Sequence, residues 1–361
     1  MGERHGIGVV GLGVISERYL TTLKDVPRVR IVAAADLVLS RAEAVADRFD
    51  GCRALSVEEL LADPEVDTVL NLTIPAAHAE IALAALRSGK NVYGEKPFAA
   101  TVAEGREILA AAGSAWVGGA PDTVLGTGVQ TARAAVDDGM IGRPLSAMAT
   151  WISPGHEAWH PNPDFYYLDG GGPLYDMGPY YLTTLVHLLG PVVAVRGAAS
   201  RPRDTRRIAS GPRAGELIPV EVATHVTGVL EHEGGALSSL VLSFDGAATV
   251  AAPIEVHGET GTLSVPDPNT FEGAVLLRRA GDADWTPLRP SAGYVGAERG
   301  VGLLDCIDGG LRASGELSLH VLEIMESLLK SGEVGERIPL HTTAELPSLV
   351  PLTEQDRWRN P

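Results

Sequence analysis

Gly11-Leu12-Gly13 stands between a strand-like run, His5 to Val10, and a helix-patterned stretch, Ile15 to Leu23. Two glycines one residue apart, at the exit of a strand and the entry of a helix, restrict the fold more than any other feature of the chain. The first permits a tight turn, and the second lets a ligand approach the main chain. The helix start beyond them offers unpaired N–H groups to phosphates. Ser16 occupies the place of the usual third glycine and is small enough for close helix–strand packing. A second run, Val29 to Ala35, leads into Asp36, about 20 residues beyond the glycines, the spacing of a ribose-binding carboxylate. Gly11, Gly13, Val14, Ile15 and Asp36 are therefore expected to hold a dinucleotide. A carboxylate at position 36 accepts from a 2′-hydroxyl and repels a 2′-phosphate, so NAD is expected. NADP stays possible because Arg41 is close enough to soften that preference.

The alternation continues for a third of the chain. Ser40 to Phe49 reads as a helix. Ser56 with Glu59, and Thr101 with Glu104, are capping boxes that open further helices. Val66 to Leu72, Asn91 to Gly94 and Trp116 to Gly118 read as strands, and the helix Ala79 to Arg87 stops at Gly89. Apolar strands separated by helices predict an α/β, doubly wound parallel sheet over residues 1–120. With 361 residues the chain exceeds one ordinary core. Residues 121–361 are expected to form an α+β domain on an open, mostly antiparallel sheet. Its signals are a hairpin of Val220 to Leu230 with Ala236 to Phe244, a second hairpin around Gly258-Glu259-Thr260-Gly261, and a late helix, Glu316 to Lys330. The Arg-, Pro- and Gly-rich stretch from Arg201 to Gly215 reads as a solvated loop.

A formal net charge of −17 argues against nucleic acid and anionic membrane surfaces as partners. The first apolar stretch, Ile7 to Leu12, is too short for a signal peptide or a membrane span. Two cysteines, Cys52 and Cys306, make no disulfide framework and fit a reducing, cytoplasmic location.

Polar residues gather at two further places. Glu95-Lys96-Pro97 follows a strand on the carboxyl side of the sheet, where ligands bind. A glycine run, Gly170-Gly171-Gly172, leads to Asp176 and Tyr180, which share a face if the segment is helical. With these pieces in this order, the sequence resembles the Gfo/Idh/MocA oxidoreductase family over essentially its full length. The resemblance implies nicotinamide-dependent chemistry on sugars or cyclitols, a Lys96-Pro97 bond that is often cis, and a C-terminal sheet used for oligomer contacts. It adds Pro75, His78, Glu95 and Lys96 to the cofactor site and makes Lys96, Asp176 and Tyr180 the catalytic group. Many members carry His where this chain has Tyr180. Tyr180 would be the acid/base, with the Lys96 ammonium drawing its pKa down towards working pH and hydrogen-bonding the reacting oxygen. Asp176 would orient the substrate hydroxyl or the lysine, and Tyr181 is read as structural.

His156-Glu157-Ala158-Trp159-His160 is a formal H-E-x-x-H string. Pro154-Gly155 before it and Pro161-Asn162-Pro163 after it leave barely one helical turn, so no zinc site and no metal are expected. His156, Trp159 and His160 are instead expected to line a substrate loop, extended by Phe165-Tyr166-Tyr167, with Tyr167 touching substrate. His187 is read as a core histidine. The expected function is hydride transfer between NAD(H) and a sugar, glycoside or related polyol. A lyase or glycosidase using NAD transiently, and a non-enzymatic sugar sensor, remain as alternatives. The open sheet predicts a homodimer or homotetramer.

Overall fold

The computed structural model describes residues 4–360. The first strand, β1 (His5–Val10), and helix α1 (Ser16–Lys24) flank the glycine turn. They are followed by β2 (Val29–Ala35), α2 (Leu39–Ala46), β3 (Arg53–Ala54), α3 (Val57–Ala62) and β4 (Thr68–Asn71). Then come α4 (Pro75–Arg87), β5 (Asn91–Gly94), α5 (Val102–Ala111) and β6 (Val117–Gly119). The strands form one six-stranded parallel sheet in the order β3-β2-β1-β4-β5-β6. Each is apolar along most of its length because helices cover both faces. Both capping boxes form: Ser56 accepts from the Glu59 N–H and Thr101 from the Glu104 N–H, with the glutamates reaching back. The strand order reverses between β1 and β4, and there the carboxyl ends of the strands open a crevice.

The chain goes on through α6 (Thr127–Asp137), β7 (Pro144–Ile152), α7 (Gly172–Leu189) and β8 (Val192–Ser200). A small excursion follows, β9 (Thr205–Arg207) with β10 (Leu217–Pro219). Next are β11 (His225–His232), β12 (Leu237–Ser243), β13 (Ile254–Gly258), β14 (Gly261–Val265), β15 (Leu276–Arg279) and β16 (Thr286–Pro287). Helices α8 (Val301–Ile307) and α9 (Gly315–Val334), strand β17 (Ile338–Pro339) and helix α10 (Gln355–Arg359) complete it. Nine of these strands make one sheet, β16-β15-β14-β13-β7-β12-β11-β8-β17, in which only β7 and β12 run parallel. Helices α7 and α9 cover one face, and Leu240, Leu242, Val226, Leu230 and Val256 are buried there. On the other face Met148 and Val229 both pair with Ser239, and Leu237 stands on the same side. All three apolar side chains are exposed.

The two sheets do not own separate pieces of chain. Val301, Leu303, Leu304, Val350 and Trp358 are buried in one core with Ile7, Val9, Leu20 and Ile31. Arg28 donates to the carbonyl oxygen of Arg359 at 2.9 Å. The segment expected to be a solvated loop, Arg201 to Gly215, is exposed along most of its length but is pinned by a short strand and by two buried residues, Arg206 and Ile208. Arg206 of β9 is 3% exposed and reaches two carboxylates from elsewhere in the chain, the buried Glu157 and the half-buried Asp245.

Candidate active site

The cofactor crevice begins at Gly11, whose φ of +89° suits glycine and whose Cβ, if present, would lie 2.7 Å from the Leu72 and Thr73 backbone. At Gly13 the opposite holds: a Cβ there would meet nothing within 4 Å, so that side of the turn is open. No side chain caps the start of α1, and Ser16 Oγ turns back to the Gly13 carbonyl at 2.7 Å. The helix start is thus left without a side-chain cap, as an anion site would require, although the Ser16 and Arg18 N–H groups already donate to the Gly13 and Ile15 carbonyls at 3.1 and 3.0 Å. Asp36 braces the turn: Oδ2 accepts from the Leu12 N–H at 2.7 Å and Oδ1 from the Val38 N–H at 2.8 Å. Arg41 Nη1 stands 3.5 Å from Asp36 Oδ1 on an exposed side chain. Val14, Leu37 and Ile74, around the same crevice, expose apolar side chains that a planar ring could cover. Open main chain beside a bracing carboxylate and bare apolar side chains fit a dinucleotide.

Pro75 opens α4 at the exposed rim, and the residues beneath it are structural. His78 is buried, with Nδ1 2.7 Å from the Pro97 carbonyl and Nε2 3.0 Å from the Thr73 carbonyl. It joins the loops after β4 and β5 rather than facing the crevice. Glu95 is also buried; its Oε1 accepts from the Tyr19 hydroxyl at 2.9 Å and its Oε2 from the Lys96 N–H at 2.9 Å. The Lys96-Pro97 bond is cis. Together these contacts aim the Lys96 side chain across the crevice at α7.

There Lys96 Nζ donates to Asp176 Oδ1 at 2.8 Å and to the Asp176 carbonyl at 2.9 Å. Asp176 Oδ2 lies 2.6 Å from His156 Nε2. The Trp159 indole N–H donates to His156 Nδ1 at 3.2 Å, which leaves the histidine proton on Nε2, directed at Asp176. Burial would raise the Asp176 carboxyl, but Lys96 and His156 outweigh it and hold it below the usual carboxylate range. Burial alone would lower the Lys96 pKa, and Asp176 and Tyr180 drive it upward instead. Lysine and aspartate are therefore both charged at neutral pH. Tyr180, one helical turn beyond Asp176, carries the Lys96 ammonium 5.5 Å from its ring centre. Lys96 and Arg299 draw its pKa down, but burial is stronger and the net shift is upward. The expectation that Lys96 would bring Tyr180 towards working pH is thus reversed, because the ring is almost wholly buried. The phenol stays protonated.

His156, Lys96, Asp176 and Tyr180 come together as one group. Tyr167 does not join them: it is fully buried, and its hydroxyl donates to Glu157 Oε2 beneath the loop. Tyr166 takes its place, with its ring centre 4.1 Å from that of His156. Burial first, and Asp176 next, push the Tyr166 pKa up to about 12. Trp159 and Phe165 are 59% and 54% exposed at the rim, with His160 5.3 Å and 5.6 Å from them between ring centres. Glu157 accepts from Arg206 Nη1 at 2.7 Å, and Arg206 Nη2 reaches Asp245 Oδ1 at 2.5 Å. The H-E-x-x-H string spans a single 3₁₀ turn, its glutamate is tied up, and no metal-binding cluster occurs among the described residues. His187 is buried on α7, where burial pushes its pKa down to about 3. Tyr181 turns away to Asp267 at 3.4 Å.

Sequence reasoning missed Arg299, Asn269 and Asp122. Arg299 Nη2 donates to the Tyr180 oxygen at 2.9 Å and to Asn269 Oδ1 at 3.2 Å, while Nη1 stands 3.5 Å from Asp122 Oδ1. Nothing near position 299 in the sequence signals this, since its partners lie far away along the chain.

Comparison with known proteins agrees with this geometry. Residues 5–117 match the family model described as an oxidoreductase family with an NAD-binding Rossmann fold, and residues 129–264 match the GFO/IDH/MocA C-terminal domain. The chain is 29% identical to 1,5-anhydro-D-fructose reductase of Ensifer adhaerens over 304 residues, covering 80% of this chain and 84% of that one. It is 27% identical to trans-1,2-dihydrobenzene-1,2-diol dehydrogenase of Bos taurus over 336 residues, 90% of this chain and 94% of the other. Among solved structures, apo levoglucosan dehydrogenase superposes with a TM-score of 0.81 at 20% identity, covering 95% of this chain and all of that chain, a likeness of fold. A glycine turn braced by Asp36, a lysine delivered across the crevice to α7 and two matched domain models lead to one assignment: the chain belongs to the Gfo/Idh/MocA family and is an NAD-dependent oxidoreductase.

Proposed function

We propose that this enzyme transfers a hydride between NAD(H) and a carbon of a sugar, glycoside or related polyol, with Lys96, Asp176 and Tyr180 handling the oxygen and its proton. The observation that carries the reading is the array at the carboxyl end of β5 in which Lys96, Asp176 and His156 are joined by contacts of 2.6–2.9 Å and Tyr180 holds its ring centre 5.5 Å from the Lys96 ammonium. Gly11, Gly13, Val14, Ile15 and Asp36 would hold the dinucleotide, and the bound cofactor supplies or accepts the hydride. Lys96 is held as an ammonium by Asp176, and its remaining N–H is free to bond the reacting oxygen and stabilise developing negative charge. Tyr180, kept as a phenol by burial, is ready to give a proton to that oxygen. The resting site therefore favours carbonyl reduction, and alcohol oxidation should gain as pH rises. His156 fixes the Asp176 carboxylate, and Tyr166, Trp159 and His160 offer ring faces to sugar C–H surfaces.

The named relatives support the substrate class, since they act on an anhydro sugar and a cyclic diol. We further read residues 1–120 as the cofactor domain, residues 121–361 as the substrate domain, whose last segments pack back into the first core, and the uncovered sheet face as the contact of a homodimer or homotetramer. The unpaired Cys52 and Cys306 support a cytoplasmic location. No described helix is long and apolar enough to cross a membrane.

The test is NADH absorbance with aldoses, ketoses, anhydro sugars, cyclitols and cyclic diols, in both directions and with NADP in parallel. Turnover lost in Tyr180→Phe and Lys96→Ala supports the reading. Substrate consumed without net cofactor change would replace it with transient oxidation, and full activity in Tyr180→Phe would end it.

A further inference from the structure

We propose that Arg299 is a positioning residue, which directs the single phenolic proton of Tyr180 at the substrate oxygen and steadies the phenolate left behind. The inference rests on Tyr180 being the proton-transfer group. Arg299 Nη2 donates to the Tyr180 oxygen at 2.9 Å, and its guanidinium carbon lies 5.2 Å from the Tyr180 ring centre. A guanidinium has five donors and no acceptor, so the phenolic hydrogen cannot turn towards it. Lys96, 5.5 Å from the Tyr180 ring centre, is an ammonium and offers no acceptor either. Among the described residues nothing accepts the Tyr180 proton. It is left directed into the crevice, where a substrate oxygen would sit.

Arg299 is itself fixed. Asp122 is completely buried, accepts from the Gly300 and Gly302 N–H groups at 2.7 and 3.2 Å through Oδ2, and sets Oδ1 3.5 Å from Arg299 Nη1. The Phe271 ring lies 5.9 Å from the guanidinium carbon, and Asn269 Oδ1 takes a second bond from Nη2. The groups facing Tyr180 are then Lys96 and Arg299, both cationic, Glu95 and Asp176, both acidic, and the Tyr166 phenol. In the reductive direction the Tyr180 O–H bond breaks and an O–H bond forms on the substrate oxygen, which has just gained negative charge from the incoming hydride. The phenolate so formed accepts from Arg299 Nη2 until solvent returns a proton. Glucose-like and cyclitol substrates would depend on this equally, because Arg299 acts through Tyr180.

The test needs no substrate. The protein is labelled with 13C at tyrosine Cζ, whose shift reports phenol against phenolate, and the Tyr180 signal is assigned by its loss in Tyr180→Phe. The NAD-bound wild type is compared at pH 10.5 with Arg299→Lys and with the double variant Arg299→Gln, Asp122→Asn, which avoids a lone buried carboxylate. Removal of an adjacent cation should raise the Tyr180 pKa by about 1–3 units, so the double variant should show roughly tenfold less phenolate or lower still. Arg299→Lys should fall between it and wild type. Equal phenolate fractions in wild type and double variant, each with unchanged circular dichroism, would overturn the inference. Tyr180→Phe that still turns over sugar would instead remove the reading on which it rests.

Discussion

Gly13→Ala and Gly11→Ala test whether the glycine turn serves the fold or the cofactor, because the structure assigns opposite costs to them. A methyl at position 13 meets no atom within 4 Å, and Gly13 is not among the glycines of positive φ. Alanine there removes backbone freedom from the unfolded chain, and should stabilise the cofactor-free protein by about 0.4–1 kcal/mol. A pyrophosphate seated against the turn would meet that methyl. Wild type gains about 2.7 kcal/mol from NAD at 100 times its Kd, and a tenfold weaker variant gains only about 1.4 kcal/mol. The order should therefore cross, with Gly13→Ala at or above wild type without NAD and below it with NAD. At Gly11 the added methyl would stand 2.7 Å from the Leu72 and Thr73 backbone at a φ of +89°. The left-handed conformation alone costs about 1–2 kcal/mol and the forced shift about 1–3 kcal/mol more, in both states. Thermal unfolding of the three proteins with and without NAD measures all of this. If Gly13→Ala gains as much from NAD as wild type does, the phosphates do not lie against Gly13 and the derivation fails.

Other expectations follow from the same contacts. Tyr180→Phe should lower turnover by about 10²–10⁴ while leaving NAD affinity, followed by fluorescence quenching, unchanged; weakened NAD binding would make the ring part of the cofactor site instead. Asp176 is held below its unfolded pKa, so its contribution to stability is complete above about pH 4 and is lost as pH falls through the native value. In urea titrations the gap between wild type and Asp176→Asn should be full at pH 7 and shrink as pH drops below about 4; a gap that widens in acid would contradict the assignment. Glu157→Gln loosens the buried Arg206 and should cost about 3 kcal/mol, with no effect of chelators before or after the substitution. Loss of stability on adding EDTA to wild type would restore the metal reading.

Much of the cofactor half was legible because its signals are local. The capping residue and its glutamate are three positions apart at Ser56 and Thr101, and Gly11-x-Gly13 is contiguous. Asp36 and Lys96 sit at the ends of apolar runs. The second half gave up its late helix, α9, and of its sheet only the hairpins, since a hairpin is the one sheet pairing that neighbours in sequence can announce. Strand β8, covered by α9 along much of its length, shows no clean alternation, and its pairing with β17 joins residues far apart. Arg206 sits in a run of arginines that reads as solvated, yet its partners Glu157 and Asp245 are 49 and 39 residues away. Charge composition cannot reveal that burial. Tyr166 and Tyr167 are adjacent and chemically alike, so only the turn that carries them decides which faces the site.

The sharing of the first core with distant segments bears on how the protein is made. Arg28 and Arg359 are bonded across 331 residues of chain, and Trp358 closes a core that begins at Ile7. At synthesis rates of about 5–20 residues per second, β1 and β2 emerge from the ribosome tens of seconds before Val350 to Arg359 exist. Through that interval the nascent nucleotide domain keeps apolar surface bare, so chaperone occupancy should persist until translation has passed Trp358.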